Sequence, residues 1–350
     1  MLLKIVLFLV VSAVFFLSTM LKPSNARADD EITKVSDIVV PTVFNKYVIE
    51  QSMVKSALFQ SGIVQNTPEF DALAVGGGKT IEMPYWKAIT GNSEVLSDST
   101  ALTSKKITAD QDTAVMFRRG VSWDCNDLAG IIAGSDPMKA IGDQVADFWV
   151  RDMQDTLISL LKGAFLSTAL GLTNVKDVTG EAGVARMFTS STFIDACQLL
   201  GDAQEALSGV IIHSATRAVL AKADLIDTIR DSDGKVVMET FMGKRVICDD
   251  RCPVASTTYT SYIFGPGAIA FGNGIAKLPI EFARDAQAGN DIIVSRRHYI
   301  MHPRGVAFTS SSVAGSSPTN LELEMAANWL KKYDTKAIKI VQFKHQNASA

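Results

Sequence analysis

The stretch DPMKAIGDQVADFWVRDMQDTLISLLKG, residues 136–163, predicts a single long helix. Asp136 supplies an N-cap carboxylate, and Pro137 suits the first helical position, where its missing backbone N–H is not needed. Apolar residues then recur at steps of three and four until Gly163, while charged side chains follow the opposite face. A helix over 137–162 would span about 39 Å at 1.5 Å per residue, which is long for a small domain. We interpret this helix as the spine of the fold.

The segments around the spine predict a mixture of helices and strands. Residues 164–190 are expected to form a loose connection between the spine and the next helix. The other predicted helices end at Gly62 or cover 191–207, 214–225 and 318–333, and the predicted strands cover 79–83, 210–213, 245–248, 259–264, 267–271, 292–301 and 337–343. These elements do not follow a regular βαβ order, so the pattern favours the α+β fold class over a doubly wound sheet.

Residues 87–120 differ from the rest of the chain because apolar residues are sparse there. The sequence GNSEVLSDSTALTSKKITADQDT is rich in Ser, Thr, Asp and Lys, and its few apolar residues alternate with polar ones. This pattern predicts a long two-stranded projection, since structureless loops of this length are uncommon. A two-stranded projection is marginal alone and needs a partner surface, so the segment indicates assembly.

The N-terminal segment carries a separate signal. Lys4 precedes an apolar run over residues 5–21, and Ala26-Arg27-Ala28 then places small residues where a signal peptidase cleaves. The run is just short of the ~20 residues that span a bilayer, so an uncleaved anchor is a second interpretation. A third is an extended gene start that places an unrelated leader before the protein.

Composition and charge limit the class of protein. At 47% hydrophobic and 20% charged residues, a chain of 350 residues is neither disordered nor a polytopic membrane protein. The net charge is 34 minus 37, or −3; without residues 1–28, which hold three basic residues and no acid, it is 31 minus 37, or −6. An acidic chain is a poor candidate for a protein that wraps nucleic acid tightly.

No motif predicts a catalytic, cofactor or metal site. Gly78-Lys79-Thr80 resembles the end of a phosphate-binding loop, but a strand follows it where that motif requires a helix. His298 and His302 lie on a predicted strand, about 13 Å apart at 3.3 Å per residue, which is too far to chelate one ion. Cys125 and Cys197 are expected to be buried free thiols, and Cys248 with Cys252 does not have zinc-site spacing.

The order of several blocks resembles the major capsid proteins of tailed phages with the Hong Kong 97-like fold. The resemblance extends over about residues 31–345 and rests on the order and spacing of the blocks. The blocks are ITKVSDIVVPTVFNKYVIEQS, GKTIEMPYW, DLAGIIAGSDPMKAIGDQVADFWVRDMQDTLISLLKGAF, MGKRVICDD, YIFGPGAIAFGNG, RRHYIMHPRGVAF and NWLKKYDTKAIKIVQF.

This resemblance implies a division of the chain into segments. The N-terminal part would consist of a leader or extended start at 1–30, an N-terminal arm and first helix at 31–83, and an extended β-hairpin E-loop at 84–120. A peripheral domain with the spine helix would follow at 121–190, and an axial domain with part of the peripheral sheet at 191–335. A closing strand and tail would complete the chain at 336–350. In such capsids the E-loop lies on a neighbouring subunit.

The resemblance also implies a non-enzymatic structural function. The subunit is expected to assemble with itself into hexamers and pentamers of an icosahedral shell that encloses double-stranded DNA without sequence-specific binding. Scaffold, portal and decoration proteins are the other expected partners. Candidate residues for contacts between subunits are Lys105, Lys106, Asp110, Asp112, Arg118 and Arg119. The alternative for each is a solvated charged face.

Two other functions and one conflict stay open at the level of sequence. The leader alone favours an exported periplasmic binding protein or hydrolase, and an encapsulin-like compartment would share the fold. A capsid subunit assembles in the bacterial cytoplasm and ends in the virion, whereas residues 1–28 look like a secretory signal. Membrane association is expected only if the leader is genuine. A removable N-terminal segment would resolve the conflict, as would an extended gene start.

Overall fold

The computed structural model describes residues 32–33, 62–76, 78–96, 98–99, 101–133, 137–234, 236–274 and 276–347. The leader predicted for residues 1–30 and the helix predicted before Gly62 lie outside these ranges. Within them, no helix is both long enough and apolar enough to cross a membrane.

The helices of the described chain differ widely in length. They are α1 (Pro68–Val75), α2 (Asp127–Ala133), α3 (Pro137–Leu166), α4 (Thr168–Thr173), α5 (Ser190–Cys197), α6 (Ser214–Lys222) and α7 (Asn320–Leu323), with 3-10 segments at Gly183–Arg186, Gln198–Ala206, Ala326–Asn328 and Thr335–Ala337. The segment 164–190, predicted to be a loose connection, therefore contains a helix.

The strands agree with most of the predicted ones to within a few residues. They are β1 (Ile32–Thr33), β2 (Val64–Asn66), β3 (Thr80–Trp86), β4 (Ala109–Asn126), β5 (Val175–Asp177), β6 (Gly209–Ile212), β7 (Asp227–Arg230), β8 (Val236–Phe241), β9 (Lys244–Cys248), β10 (Val254–Ala255), β11 (Thr258–Phe264), β12 (Ile269–Gly274), β13 (Ile280–Asp285), β14 (Asn290–Pro303), β15 (Val306–Phe308), β16 (Trp329–Lys331) and β17 (Ile340–Gln346). The mixture of helices and strands confirms the α+β class.

The chain divides into two compact units. Of the described residues, the first comprises 32–33, 122–133, 137–141 and 282–294, and the second comprises all the others. These units cut the chain at different places from the segments that the family resemblance implies, and those segments stay predictions.

The spine helix α3 is 30 residues long, so at 1.5 Å per residue it extends over about 45 Å. Its apolar face in the second unit is buried, as the pattern of threes and fours predicts. Buried residues on this face include Trp149, Met153, Leu157, Leu160, Leu161 and Ala164. Each fully buried aliphatic side chain contributes about 1.5–3 kcal/mol, so this face anchors the core.

The predicted end of the spine at Gly163 is wrong, because the helix continues to Leu166. Gly163 instead allows neighbouring groups to pack closely against the helix. A Cβ atom at this position would lie 1.8 Å from the carbonyl oxygen of Leu323 and 2.5 Å from Trp329 Nε1. Only a residue without a side chain lets these groups approach the helix so closely.

The second unit contains an eight-stranded mixed sheet. Its main order is β5-β17-β11-β6-β9-β8-β7, and β10 pairs with β11. β11 and β17 form an antiparallel ladder from Thr258↔Gln346 to Phe264↔Ile340, while β6 and β9 run parallel. An aromatic cluster that includes Phe188, Phe193 and Phe241 packs in the core beside this sheet.

The same unit contains a second set of paired strands. β12 pairs antiparallel with the end of β14, from Ile269↔Pro303 to Gly274↔His298, and parallel with β2. Phe117 of β4 stacks on Tyr299 of β14 with ring centroids 5.2 Å apart. Both rings are fully buried.

The described part of the first unit is held by contacts at the start of α2. The Asp127 carboxylate forms an ion pair of 2.6 Å with Arg284 of β13. The Asn126 side chain donates hydrogen bonds to Ala288 O and Asn290 Oδ1, at 3.0 and 2.7 Å. β1 pairs parallel with β4 through Ile32↔Asp124 and Thr33↔Cys125.

The helix predicted over 318–333 is also wrong. The segment forms the short helix α7, a 3-10 turn and then the strand β16, which pairs with β15 through Phe308↔Trp329. The Trp329 indole donates a hydrogen bond of 2.6 Å to Leu323 O, and Asn328 Nδ2 donates one of 2.7 Å to Glu322 O. The pairing with β15, together with these two side-chain bonds, outweighs the helical apolar spacing of the segment.

Candidate functional site

The residues between β3 and β4, 87–108, form an extended excursion that we call the arm. β3 and β4 pair antiparallel from Thr80↔Val115 to Trp86↔Ala109, and Lys87 N adds a hydrogen bond of 2.9 Å to Thr108 O. Beyond this point the described residues of the arm form no strand. The predicted two-stranded projection is therefore paired only at its base, because its Gly, Asn and Asp residues have low strand propensity and the segment has few apolar side chains to bury.

Side chains connect the two limbs of the arm where the backbone ladder ends. Lys105 Nζ donates a hydrogen bond of 2.5 Å to Asn92 O, and Glu94 Oε2 accepts one of 2.9 Å from Thr103 N. Gly91 has a φ of 119° and lies against the Lys105 side chain. These contacts hold the limbs together up to the tip of the arm, residues 92–96 and 98–99.

The arm exposes most of its apolar side chains to solvent. Val95 and Leu96 at the tip are 95% and 81% exposed. The exposed apolar residues of the arm and its root are Trp86, Ile89, Val95, Leu96, Leu102 and Ile107. A concentration of exposed apolar side chains on one element is typical of a surface that another molecule covers.

A groove of about 820 Å³ lies between the base of the arm and the segment after β16. Four lysines line it, and we call it the lysine groove: Lys87, Lys105, Lys106 and Lys332. Its apolar wall includes Ile89, Ile107 and Tyr85. Of the four lysines, only Lys105 and Lys106 were predicted from the sequence as contact residues.

The wall of the groove is fixed by aromatic contacts. The rings of Tyr85 and Tyr333 meet edge to face with centroids 4.7 Å apart, and Tyr85 OH donates a hydrogen bond of 3.2 Å to Lys332 O. Tyr85 and Lys332 are 247 residues apart in the chain. No local sequence pattern connects residues so distant, which is why the groove was not predicted.

Asp110 lies at the root of the arm and joins two of these lysines. Its carboxylate accepts from Lys332 Nζ at 2.9 Å and lies 3.1 Å from Lys87 Nζ. The hydrogen bond from Lys332, with those from the Gln111 backbone and Lys87, holds the pKa of the Asp110 carboxyl well below its usual range. Asp110 therefore remains ionised and compensates part of the positive charge of the groove.

Asp112 is not a surface residue, which removes it from the predicted subunit contacts. Its carboxylate is buried, lies 2.9 Å from His302 Nε2 and accepts a hydrogen bond of 3.0 Å from Gly305 N. Asp110 and Asp112 are two residues apart on β4 and therefore lie on the same face of the strand, but Asp110, nearer the arm, is only partly buried, whereas Asp112 is buried. Asp112 pairs with Met83 of β3 in the antiparallel ladder.

Arg118 and Arg119 bind groups of their own chain. Arg118 donates from its guanidinium to Gly78 O and from its backbone N to Ser317 Oγ, the latter at 3.1 Å. Arg119 Nη2 donates to Pro318 O and Asn320 Oδ1, at 3.2 and 2.7 Å. Both side chains are half-buried, so Lys105 and Lys106 are the predicted contact residues that most fully face solvent.

Residues that could bind a metal ion or a phosphate do not cluster in the part of the chain that the structure describes. Within the ranges that the structure describes, no group of three His, Cys, Asp or Glu residues could hold a metal ion. Cys125 and Cys197 are buried and not in a disulfide, as predicted; Cys252 is also buried and Cys248 is exposed, and neither of them is in a disulfide. The segment after Gly78 enters strand β3, as predicted, and not a phosphate-binding helix.

Two comparisons by sequence both match this chain to major capsid proteins. Residues 75–339 match the family model described as Gp13-like, major capsid protein 13-like. The chain is 44% identical over 321 residues to the major capsid protein of Bacillus phage SPP1, an alignment that covers 90% of this chain and 98% of the relative.

Solved structures with little sequence identity share the fold. The capsid asymmetric unit of cyanophage Pam1 matches with a TM-score of 0.56 at 10% identity, covering 82% of this chain and 89% of that chain. A chain from Mycobacterium phage Bobi matches with a TM-score of 0.53 at 12% identity, covering 89% of this chain and 97% of that chain. The sequence and the fold of this chain thus match those of phage capsid subunits. The chain combines mixed helices and strands with an exposed arm and a long spine. The chain belongs to the Gp13-like family of major capsid proteins and has the Hong Kong 97-like fold of tailed-phage capsids.

Proposed function

We propose that this chain is the subunit of an icosahedral virion shell, assembling with itself into hexamers and pentamers around double-stranded phage DNA. The observation that carries the proposal is the apolar surface of the arm. Val95 and Leu96 are almost fully exposed on an element that has no core of its own. Burying such side chains against a neighbouring subunit contributes about 1.5–3 kcal/mol for each.

The arm would serve as the E-loop of the subunit, lying on the next copy around the capsomer. Residues 121–190, with the spine helix α3, would correspond to the peripheral domain, and 191–335 to the axial domain with part of the peripheral sheet. Contacts of this kind are heterologous, so a rotation repeats them until a ring closes. Obligate contacts of this type bury about 2,000 Å² or more.

The charge of the subunit fits a container better than a DNA-binding protein. A net charge of −3 gives little reason for the subunit to grip phosphate, so packaged DNA could slide within the shell. Any contact between the subunit and the packaged DNA would therefore be independent of base sequence. Scaffold, portal and decoration proteins are the other partners that we propose.

We further infer that the function is structural and not enzymatic. The polar clusters of the arm root and the core hold one segment of the chain against another: Asp112 binds His302, Asp110 binds two lysines, and Arg119 binds Asn320. None of these groups needs a substrate to complete it. The family relationship also favours a shell protein over the exported binding protein or hydrolase that the leader alone suggested.

The test is assembly of purified protein. Electron microscopy and sedimentation velocity of the full chain, and of a chain that begins at Asp29, should reveal closed particles of megadalton mass. A stable monomer at high concentration in both preparations would contradict the proposal. N-terminal sequencing of subunits from particles would show whether residues 1–28 remain in the mature shell.

A further inference from the structure

We propose that the lysine groove binds the phosphate groups of a nucleic acid backbone. This inference goes beyond the proposed function, because a shell can enclose DNA without a fixed site for it. The groove would hold the backbone through ammonium and hydroxyl groups, which contact phosphate and carry no information about base sequence.

The groove collects positive charge on a subunit whose net charge is negative. Its lining contains four lysines and one carboxylate, that of Asp334. Asp110, which binds two of these lysines, adds a second carboxylate. Four positive and two negative charges leave a local excess of two positive charges, although the whole chain carries −3. A cleft lined mainly by one sign of charge concentrates counter-ions of the opposite sign.

Two of the four lysines have no counter-charge in the described chain. Lys105 and Lys106 are exposed, and neither forms an ion pair with another described residue. Lys105 Nζ donates a hydrogen bond of 2.5 Å to the carbonyl oxygen of Asn92. This bond to a neutral group orders the ammonium group and leaves its charge uncompensated, which favours an anionic ligand.

The other two lysines are ordered by a shared carboxylate. Asp110 lies 3.1 Å from Lys87 Nζ and accepts from Lys332 Nζ at 2.9 Å. An ammonium group has three N–H donors, so each lysine retains donors for a phosphate oxygen. Asp110 thus holds both cations at the groove and moderates their attraction for an anion.

The kinds of side chain favour phosphate over carboxylate. No arginine occurs among the described residues that line the groove. The planar fork of arginine matches a carboxylate through two parallel hydrogen bonds, whereas lysine binds phosphate as a compact point charge. Thr90 and Thr108 also line the groove, and threonine hydroxyl groups are common donors to phosphate oxygens.

The apolar wall favours a nucleic acid over inorganic phosphate. Ile89 and Ile107, which are 83% and 50% exposed, lie in the lining with the rings of Tyr85 and Tyr333. The carbon atoms of sugars and bases can cover this surface, and an inorganic phosphate chain has no carbon atoms to do so. A volume of about 820 Å³ is within the range of sites that bind organic ligands.

Binding should be weak and sensitive to salt. The negative charge of the whole subunit opposes tight binding of DNA, so we expect a dissociation constant of about 10⁻⁴–10⁻⁶ M at physiological salt, the range of sequence-independent binding. A contact of this strength would still let packaged DNA move within the shell.

The first test removes the two uncompensated lysines. Fluorescence anisotropy of a short labelled DNA duplex, titrated with the full chain as unassembled subunit, measures binding at several salt concentrations. Lys105→Gln with Lys106→Gln should weaken binding at least about tenfold at low salt. The slope of log affinity against log salt should fall by about 1.8, since each phosphate contact contributes about 0.9.

A matched control removes two lysines elsewhere. Lys222 and Lys277 are exposed and lie outside the groove, so Lys222→Gln with Lys277→Gln makes the same change in charge. This control should change the affinity by less than about twofold, because salt screens distant charges. Equal weakening in the two double variants, or no binding by the wild type at low salt, would overturn the proposal.

A second variant should strengthen binding. Asp110→Asn removes the carboxylate that compensates Lys87 and Lys332, so the affinity for the duplex should rise at least about threefold. Asp231→Asn, in the exposed turn between β7 and β8, is the matched control and should leave the affinity unchanged. A misfolded protein does not imitate a gain in affinity. Unchanged or weaker binding by Asp110→Asn would contradict the assignment of the groove.

Competition identifies the chemistry of the ligand. An unlabelled duplex should displace the labelled one better than inorganic polyphosphate, and polyphosphate better than polyglutamate, at equal concentrations of charge. Polyglutamate as effective as the duplex would indicate an acidic protein segment as ligand, and polyphosphate more effective than the duplex would indicate a free phosphate chain; either result overturns the proposal. Shell formation is scored separately: absence of particles contradicts the proposed function and not the groove.

Discussion

Asp112 Oδ2 lies 2.9 Å from His302 Nε2, and the two side chains are only 4% and 2% exposed. Asp112 is on β4, close to the root of the arm, and His302 is near the end of β14. The same carboxylate oxygen accepts a hydrogen bond from Gly305 N at 3.0 Å, and Thr113 N donates to the other oxygen. The pair thus fixes the root of the arm to the core, although the residue is separated from its partner by 190 positions.

Removing this carboxylate should strongly destabilise the subunit. Asp112→Ala leaves His302 and Gly305 N buried without their acceptor, and the expected loss is about 3 kcal/mol in the free energy of unfolding. Urea unfolding of the unassembled subunit measures it. Asp110→Ala is the control, because the Asp110 carboxylate is only partly buried and solvent screens its ion pairs with Lys87 and Lys332, so its removal should cost less. Equal losses in the two variants would contradict the role of the buried pair.

The same pair should make the subunit sensitive to strong acid. Burial opposes ionisation of Asp112, but the hydrogen bonds from His302, Gly305 and Thr113 outweigh it and lower the pKa of the carboxyl below 3.8. The unfolded chain therefore binds this proton first, so the stabilising effect is present above pH 3.8 and declines as the pH falls from there through the folded pKa. Unfolding free energies at several pH values should show this decline in the wild type. Asp112→Asn should reduce it, and an unchanged profile would refute the assignment.

Gly163 should tolerate no side chain. A Cβ atom there would lie 1.8 Å from Leu323 O, so Gly163→Ala must displace either the helix or α7. Overpacking of this kind costs about 1–3 kcal/mol, which exceeds the gain of about 1 kcal/mol in helix propensity. Gly142→Ala is a matched control in the same helix, because nothing lies within 4 Å of its Cβ position. The control should be neutral or more stable in thermal unfolding; a stabilised Gly163→Ala would show that the close packing is absent.

Gly163 also illustrates what the sequence could predict and what it could not. The helix pattern over 136–163 predicted the spine, because apolar spacing is a local property. A glycine at the end of such a pattern is typical of a helix terminus, so the sequence favoured a stop. Its actual role depends on Leu323, 160 positions later, and no local rule contains that contact.

The same limit applies to the segment 318–333 and to the lysine groove. Strands β6, β9 and β11 were predicted because each is a short buried run bounded by turns. The helix expected over 318–333 failed because Trp329 pairs with Phe308 of another strand. The groove requires Lys87 and Lys332 to meet through Asp110, which only the folded chain shows.

His345 should give the subunit a second pH dependence, at a less acidic pH than that of Asp112. It is fully buried on β17, where Nε2 lies 2.9 Å from Ser261 Oγ, and burial lowers the pKa of its imidazole to about 4. The unfolded chain protonates at 6.5, so stability is complete above that pH and falls as the pH drops from 6.5 towards 4. The slope should approach about 1.4 kcal/mol per pH unit. His345→Gln should remove this part of the profile, and a slope that persists in the variant must arise elsewhere.

The apolar tip of the arm should contribute to assembly and not to the stability of the subunit. Val95→Ser with Leu96→Ser removes two aliphatic side chains that are 95% and 81% exposed, so the free energy of unfolding should change by less than about 0.5 kcal/mol. If a neighbouring subunit buries them, each loss costs about 1.5–3 kcal/mol of contact, and the protein concentration needed for assembly should rise at least about tenfold. Light scattering against protein concentration measures this threshold. Leu172→Ser on α4 removes an equally exposed side chain outside the arm and should leave the threshold unchanged. If the tip variant assembled at the wild-type threshold, the exposed tip would not be a contact surface, and the arm would need another explanation.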